Sequence, residues 1–183
     1  MNALDIPGYK AGTWTIDPTH SEVGFSIRHL GISKVKGTFD QFSATFVTGE
    51  NPLDSSVSAT AEVASVNTNE ANRDGHLRTG DFFAAEEFPQ LSFVSNGARE
   101  QDGELFVDGD LTMRGVTQPV SFNIDFGGFG EDGYGQYKAG FTASTVVKRE
   151  DFGLTWNNPL GNGRFVLGPD VTINLDIQAV LQP

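Results

Sequence analysis

The stretch VTINLDIQAVL, residues 171–181, places Val171, Ile173, Leu175, Ile177, Ala179 and Leu181 on one parity. Thr172, Asn174, Asp176 and Gln178 fall on the other. Successive side chains of a strand point to opposite faces, so this pattern reads as a strand with one apolar and one wet face. The same alternation recurs through the chain. It is carried by Val23, Phe25 and Ile27; by Phe42, Ala44 and Phe46; and by Val57, Ala59, Ala61 and Val63. It returns in Leu91 and Phe93, in Leu105 to Met113, in Val120 to Phe126, and less cleanly in Phe141 to Val147.

Eight strands at this spacing predict an antiparallel sandwich or barrel. Closure removes the exposed edges that an open sheet of this width would carry. The sequence therefore predicts an all-β, eight-stranded antiparallel barrel formed by a single domain over residues 1–183. Asn96-Gly97, Asp102-Gly103, and Gly115 with Pro119 read as turns. Residues 127–135, with five glycines and two acids, read as a flexible hairpin loop.

One segment, near residues 68–87, breaks the alternation and predicts a short helical insertion. Asn67 followed by Glu70 reads as a helix start. Asp74 and Arg78 stand at i, i+4, and Gly80 reads as the stop. A second helical turn is expected between Asp81 and Glu87, before Pro89.

Composition narrows the function classes. Twelve Lys and Arg against 24 Asp and Glu give a formal charge of −12, which argues against nucleic acid and anionic membrane surfaces as partners. With no Cys, disulfides, thiolate metal sites and a cysteine nucleophile are excluded. The N-terminal MNALDIPGYKAGTW lacks a basic region followed by an apolar one, which predicts a cytoplasmic protein. No run approaches the ~20 apolar residues of a membrane-spanning helix.

The ionisable motifs are weak. The three histidines show no H-x-H, H-E-x-x-H or calcium-loop spacing, so no metal is expected. Residues 127–135 lack the Lys and following helix of a phosphate cradle. No G-x-S-x-G elbow is present. An enzyme acting on a lipid-like substrate would have to use His76 with Asp74, or His20 with Asp17. Asp108 and Asp110 read as solvent-facing acids on a strand.

Phenylalanine is the most telling residue, with 15 copies. Phe25, Phe46, Phe93, Phe122 and Phe141 lie on the apolar parity. Phe82, Phe83, Phe88, Phe152 and Trp156 belong to segments at the end of the barrel. Small residues (Ala59, Ala61, Gly109, Gly115, Ala143) share the inward faces. Large beside small either tiles a dry core or leaves a channel, and composition leaves both open.

Six motifs in order identify a resemblance. They are WTIDPTHSEVGFSIRHLG (14–31), VKGTFDQF (35–42), NRDGHLRTGDFF (72–83), FPQLSF (88–93), VDGDLTMRGVTQPV (107–120) and KREDFGL (148–154). With them the chain resembles the YceI-like family of lipid-binding proteins. The resemblance implies a lipocalin-like barrel around an apolar tunnel for a polyisoprenoid, an isoprenoid quinone or a fatty-acid-like chain. It implies a homodimer, no obligatory cofactor and no established catalysis; many family members are periplasmic. The candidate ligand-binding residues of such a tunnel are Phe25, Ile27, Phe46, Leu77, Phe82, Phe83, Phe88, Phe93, Leu111, Met113, Phe141, Phe152 and Trp156. His20, His29, Arg114 and Arg149 are its candidates for a polar rim or head-group site.

Overall fold

The computed structural model describes residues 5–183. Its strands are β1 (Gly12–Ile16), β2 (Glu22–His29), β3 (Ser33–Phe39), β4 (Phe42–Thr48), β5 (Ser56–Glu62) and β6 (Val66–Asn67), followed by helix α1 (Ala71–Leu77). Then come β7 (Gln90–Gln101), β8 (Glu104–Met113), β9 (Val116–Glu131) and β10 (Tyr137–Lys148). A small ribbon of β11 (Pro159–Gly161) and β12 (Arg164–Phe165) precedes the last strand, β13 (Leu167–Leu181).

These elements form eight staves. β1 and β2 are one stave interrupted by a 3₁₀ turn at Pro18–His20. β3 and β4 form the next, interrupted at Asp40 and Gln41, and β5 and β6 the third, interrupted by a 3₁₀ turn at Val63–Ser65. Antiparallel pairing runs β4 to β5 to β7 to β8 to β9 to β10 to β13. The ring closes because β13 pairs with both halves of the first stave: Trp14 with Leu181, Ile16 with Ala179, Val23 with Leu175 and Ile27 with Val171. Each stave is one of the eight strands expected from the alternation, and the fold is a closed eight-stranded antiparallel barrel.

Two irregularities keep the apolar parity inside. In β7 the register shifts between Ser95 and Gly97, so Asn96-Gly97 is a β-bulge within the strand and not the expected turn. The extra residue flips the inward parity from Leu91 and Phe93 to Ala98. In β9, Phe126 faces Phe141 and Phe129 faces Ala139, three positions on one strand against two on the other. Gly127 and Gly128, the latter at φ 151°, absorb the extra residue. The expected hairpin loop over residues 127–135 is therefore mostly strand, and the turn is confined to residues 132–136. The Asp102-Gly103 and Arg114-Gly115 turns have positive φ at both residues, the tight hairpin form that matches strand twist.

α1 also starts later than expected. Asn67 is held in β6 opposite Thr38, and Glu70 is the cap, accepting from the Asn72 and Arg73 amides. Asp74 turns inward to accept from the Thr68 amide and hydroxyl, while Arg78 donates to the Ala64 carbonyl, so no Asp74–Arg78 pair forms. The helix ends at Leu77, before Gly80, and residues 79–88 follow as linked turns, with the Phe88 amide on the Ala84 carbonyl.

Aromatic rings settle over glycines on neighbouring strands. A Cβ at Gly109 would lie 2.5 Å from Phe93 Cζ and 2.5 Å from the Val94 carbonyl oxygen. We therefore expect Gly109→Ala to cost ~1–3 kcal/mol by overpacking. Thermal unfolding should shift down by ~2–4 °C per kcal/mol, and an unchanged Tm would refute this packing.

Candidate functional site

The inward parity does not fill the barrel. Phe25, Ile27, Phe46, Phe141, Val171, Ile173 and Leu175 face inward yet remain only half-buried, because each borders an internal cavity of about 470 Å³. This is within the ~300–1,000 Å³ range of small-molecule sites. The channel reading therefore holds over the dry core. The tunnel runs from Tyr9, Trp14 and Pro52 at one end of the barrel to Arg73, His76 and Trp156 at the other. Along β13 the lining residues are Leu167, Val171, Ile173, Leu175, Ile177 and Ala179, and none of the intervening polar residues reaches it.

Its two ends are built differently. At the first, Trp14 is 2% exposed and donates from Nε1 to Thr48 Oγ1 at 2.9 Å. The Phe129 and Tyr137 rings stand 6.0 and 6.1 Å from it, and Tyr9 packs edge-on to Phe129. At the second, α1 and the turns after it lie over the opening. The Phe82 and Trp156 rings are 5.2 Å apart, with the His76 ring 5.0 and 4.9 Å from each. Phe83 reaches inward onto Phe39 at 5.6 Å.

Eleven of the thirteen apolar candidates border the cavity: Phe25, Ile27, Phe46, Leu77, Phe82, Phe83, Phe93, Leu111, Met113, Phe141 and Trp156. Two do not. Phe88 packs on the outside of the Arg114-Gly115 turn, where a Cβ on Gly115 would meet its ring at 2.6 Å. Phe152 is 1% exposed inside the core cluster below Phe82 and Leu154. The sequence reading missed Trp14, Tyr9 and Phe129. Trp14 sat in a quoted motif, but β1 is too short for its alternation to register.

The polar candidates divide as well. His29 and Arg149 border the cavity; His20 and Arg114 do not. Arg114, at φ 52°, donates from Nη1 to the Phe82 carbonyl at 2.9 Å and so ties the 82–83 segment to the β8–β9 turn. Arg149 is 4% exposed. It donates from Nε to the Gly168 carbonyl at 2.9 Å, and from Nη1 to the Leu154 and Trp156 carbonyls at 2.7 and 2.9 Å. Burial lowers its pKa from the ordinary arginine value; an arginine remains charged nonetheless.

The two candidate catalytic pairs fare differently. His76 does not meet Asp74, which is buried on Thr68; its Nε2 lies 2.8 Å from Asp81 Oδ2 instead. His20 does meet Asp17, at 2.8 Å, but on the outer wall, away from the tunnel. Asp17 has its pKa held well below the usual carboxylate range by the Thr19 hydroxyl, then by His20 and the Thr19 amide. Among the described residues no group of His, Asp and Glu is arranged to hold a metal ion, and no helix is long and apolar enough to cross a membrane.

A carboxyl with a depressed folded pKa stabilises above its unfolded value of about 3.9, and that contribution is lost as pH falls through the folded value. Asp17→Asn should thus lower Tm at neutral pH by a constant margin down to about pH 5. Below about pH 4 the margin should narrow. Melts across this range check it, and a margin that widens in acid would contradict the assignment.

Comparison with known proteins agrees with this architecture. Residues 14–179 match the YceI-like domain. A UPF0312 protein of Photorhabdus laumondii is 41% identical over 150 residues, covering 81% of this chain and 73% of its own. Protein YceI of Escherichia coli O157:H7 is 42% identical over 136 residues, 74% of this chain and 71% of its own. The crystal structure of a Campylobacter jejuni YceI protein superposes with a TM-score of 0.71 at 30% identity, covering 92% and 97% of the two chains. A polyisoprenoid binding domain from Saccharophagus degradans shares the fold, with a TM-score of 0.70 at 14% identity over 94% of this chain and all of its own. Matched along nearly its whole barrel, and with the six motifs on its walls and mouth, the chain belongs to the YceI-like family.

Proposed function

We propose that the protein is a non-enzymatic carrier or store for a long apolar chain, isoprenoid or acyl, held lengthwise in the barrel. The carrying observation is the tunnel itself: one continuous cavity bordered by all eight staves, almost wholly by aliphatic and aromatic side chains. Burial contributes ~0.8 kcal/mol for each CH₂ removed from water, so a five-carbon isoprene unit gains ~3–4 kcal/mol before the cost of immobilising the ligand. Several such units leave a surplus after that cost. The name of the Saccharophagus domain, a polyisoprenoid binding domain, supports the same reading.

The cavity offers little for covalent chemistry. Its histidines, His29 and His76, accept no proton from a Ser or Thr hydroxyl among the described hydrogen bonds. Asp81, outside the lining, holds His76, but no acid among the described residues pairs with His29 and no hydroxyl pairs with the His76 ring. A positioned nucleophile and base are the minimum for acyl or phosphoryl transfer.

Organic extraction of the purified protein, followed by mass spectrometry, should release a long-chain lipid in near-stoichiometric amount. Ala44 and Ala59, paired across β4 and β5, place two small side chains on the cavity wall. Ala59→Trp should fill that space, leave the melting temperature close to that of the parent, and reduce the recovered lipid by about tenfold or more. Recovery of no lipid from the parent protein, with no uptake of added polyprenol or fatty acid, would sink the carrier reading.

A further inference from the structure

The chain has twice as many acids as Lys and Arg, yet the tunnel reverses that balance. Its lining includes Arg73, His76, His29 and Arg149, and no Asp, Glu or Lys among the described residues. All four basic groups stand at the α1 end. His29 closes β2 opposite Leu167, and Arg149 is anchored on the next residue, Gly168. Arg149 and His76 share Trp156, one through its carbonyl and the other through its ring. Arg73 lies on α1 at the outer lip, fixed through Nε and Nη2 to Thr68. The opposite end offers only Tyr9, Trp14, Thr48, Pro52, Ser55 and Ser56 with the aromatic cluster.

Arg149 is the decisive group. It is 96% buried, and every partner it has is a neutral carbonyl. Its Nη2 has no hydrogen bond among the described residues. No buried side-chain nitrogen or oxygen there is left without a partner, so Nη2 is not sealed in the interior, and Arg149 lines the cavity. Two neighbouring acids are engaged elsewhere, Asp74 with Thr68 and Asp81 with Nε2 of His76; exposed Glu150 favours the charged guanidinium from a distance but forms no ion pair with it. A guanidinium removed from water without a counter-ion is costly, and its remaining N–H pair matches an anionic oxygen.

We infer that the ligand is an amphiphile with an anionic head, a carboxylate or a phosphate, bound at the α1 end by Arg149 with Arg73 and the two histidines around it. Its chain runs from there toward Trp14. This rests on the carrier reading and narrows it: a neutral hydrocarbon or quinone would leave Arg149 without a counter-ion.

Two matched pairs test it on the delipidated full chain: dodecanoate against dodecanol, and farnesyl phosphate against farnesol. Affinity is read by displacement of an environment-sensitive fluorescent probe. The anion of at least one pair should bind about tenfold or more tighter than its alcohol; which pair shows the gap tells carboxylate from phosphate. Arg149→Gln should shrink the gap to about threefold or less while the alcohol's affinity stays. Arg149 also holds three carbonyls, so Arg73→Gln, on the exposed lip, provides a second variant in which the gap should narrow with the fold intact. Equal binding of anion and alcohol in both pairs overturns the head-group inference and leaves the carrier standing. Failure of all four to displace the probe overturns both.

Discussion

The structure depends on a constraint of dimension. Eight staves, closed by the pairing of β13 with β1 and β2, enclose an interior only just wide enough for side chains or for one narrow ligand. Which of the two obtains is decided by the residues on the inward parity. The rings of Phe46, Phe126 and Phe141 pack on one another. Ala44 paired with Ala59, and Ala139 and Ala143 on either side of Phe141, put small side chains on the same inward faces. The wall is held by its backbone ladder, which closure leaves without an unpaired edge, and by side chains packed between neighbouring staves, such as Phe93, Leu111, Met113 and Phe122. That is why an unfilled interior is compatible with a stable fold.

The ends supply what the centre does not. Trp14, Tyr137, Phe129 and Tyr9 pack one end as a small aromatic core. At the other, Phe152 and Leu154 pack under the α1 segment, and Arg114 and Arg149 pin the surrounding loops by their carbonyls. The residues that cap the tunnel are thus carried on segments whose stability comes from arginine–carbonyl bonds and ring contacts. The staves are held by their ladders and by the inward side chains packed between them.

Much of this was legible in the sequence because the period of a strand is an exact two. Val171 to Leu181 announces which face is inside, and the same parity recurs in seven other segments. What the alternation could not show is where it changes phase. Asn96-Gly97 and Gly127-Gly128 look like turns because glycine serves turns and bulges alike; only the neighbouring strand's register tells them apart. The α1 boundary was misplaced for a similar reason. Asn67 has the chemistry of a cap, but pairing with Thr38 of β3 fixed its backbone first. For the site, apolar parity located most of the tunnel wall. It could not separate Phe152 or Phe88 from Phe82, since all three lie outside the alternation and their direction is set by tertiary packing. Nor could it show that Arg149 spends its bonds on carbonyls, which is a fact of loop geometry.

The pairing of the first stave with the last has a temporal side. Residues 12–29 pair along one edge with residues 33–48, but their other edge finds its partner only in residues 167–181, so the ring cannot shut until almost the entire chain is present. Contacts of such long sequence separation form late and slowly. Up to that moment the growing sheet is an open trough, its aliphatic and aromatic lining turned to the surroundings along one long seam. Shutting the seam is the step that converts a sticky surface into an enclosed volume. Anything lying in the trough when β13 arrives is walled in by the same hydrogen bonds that complete the fold.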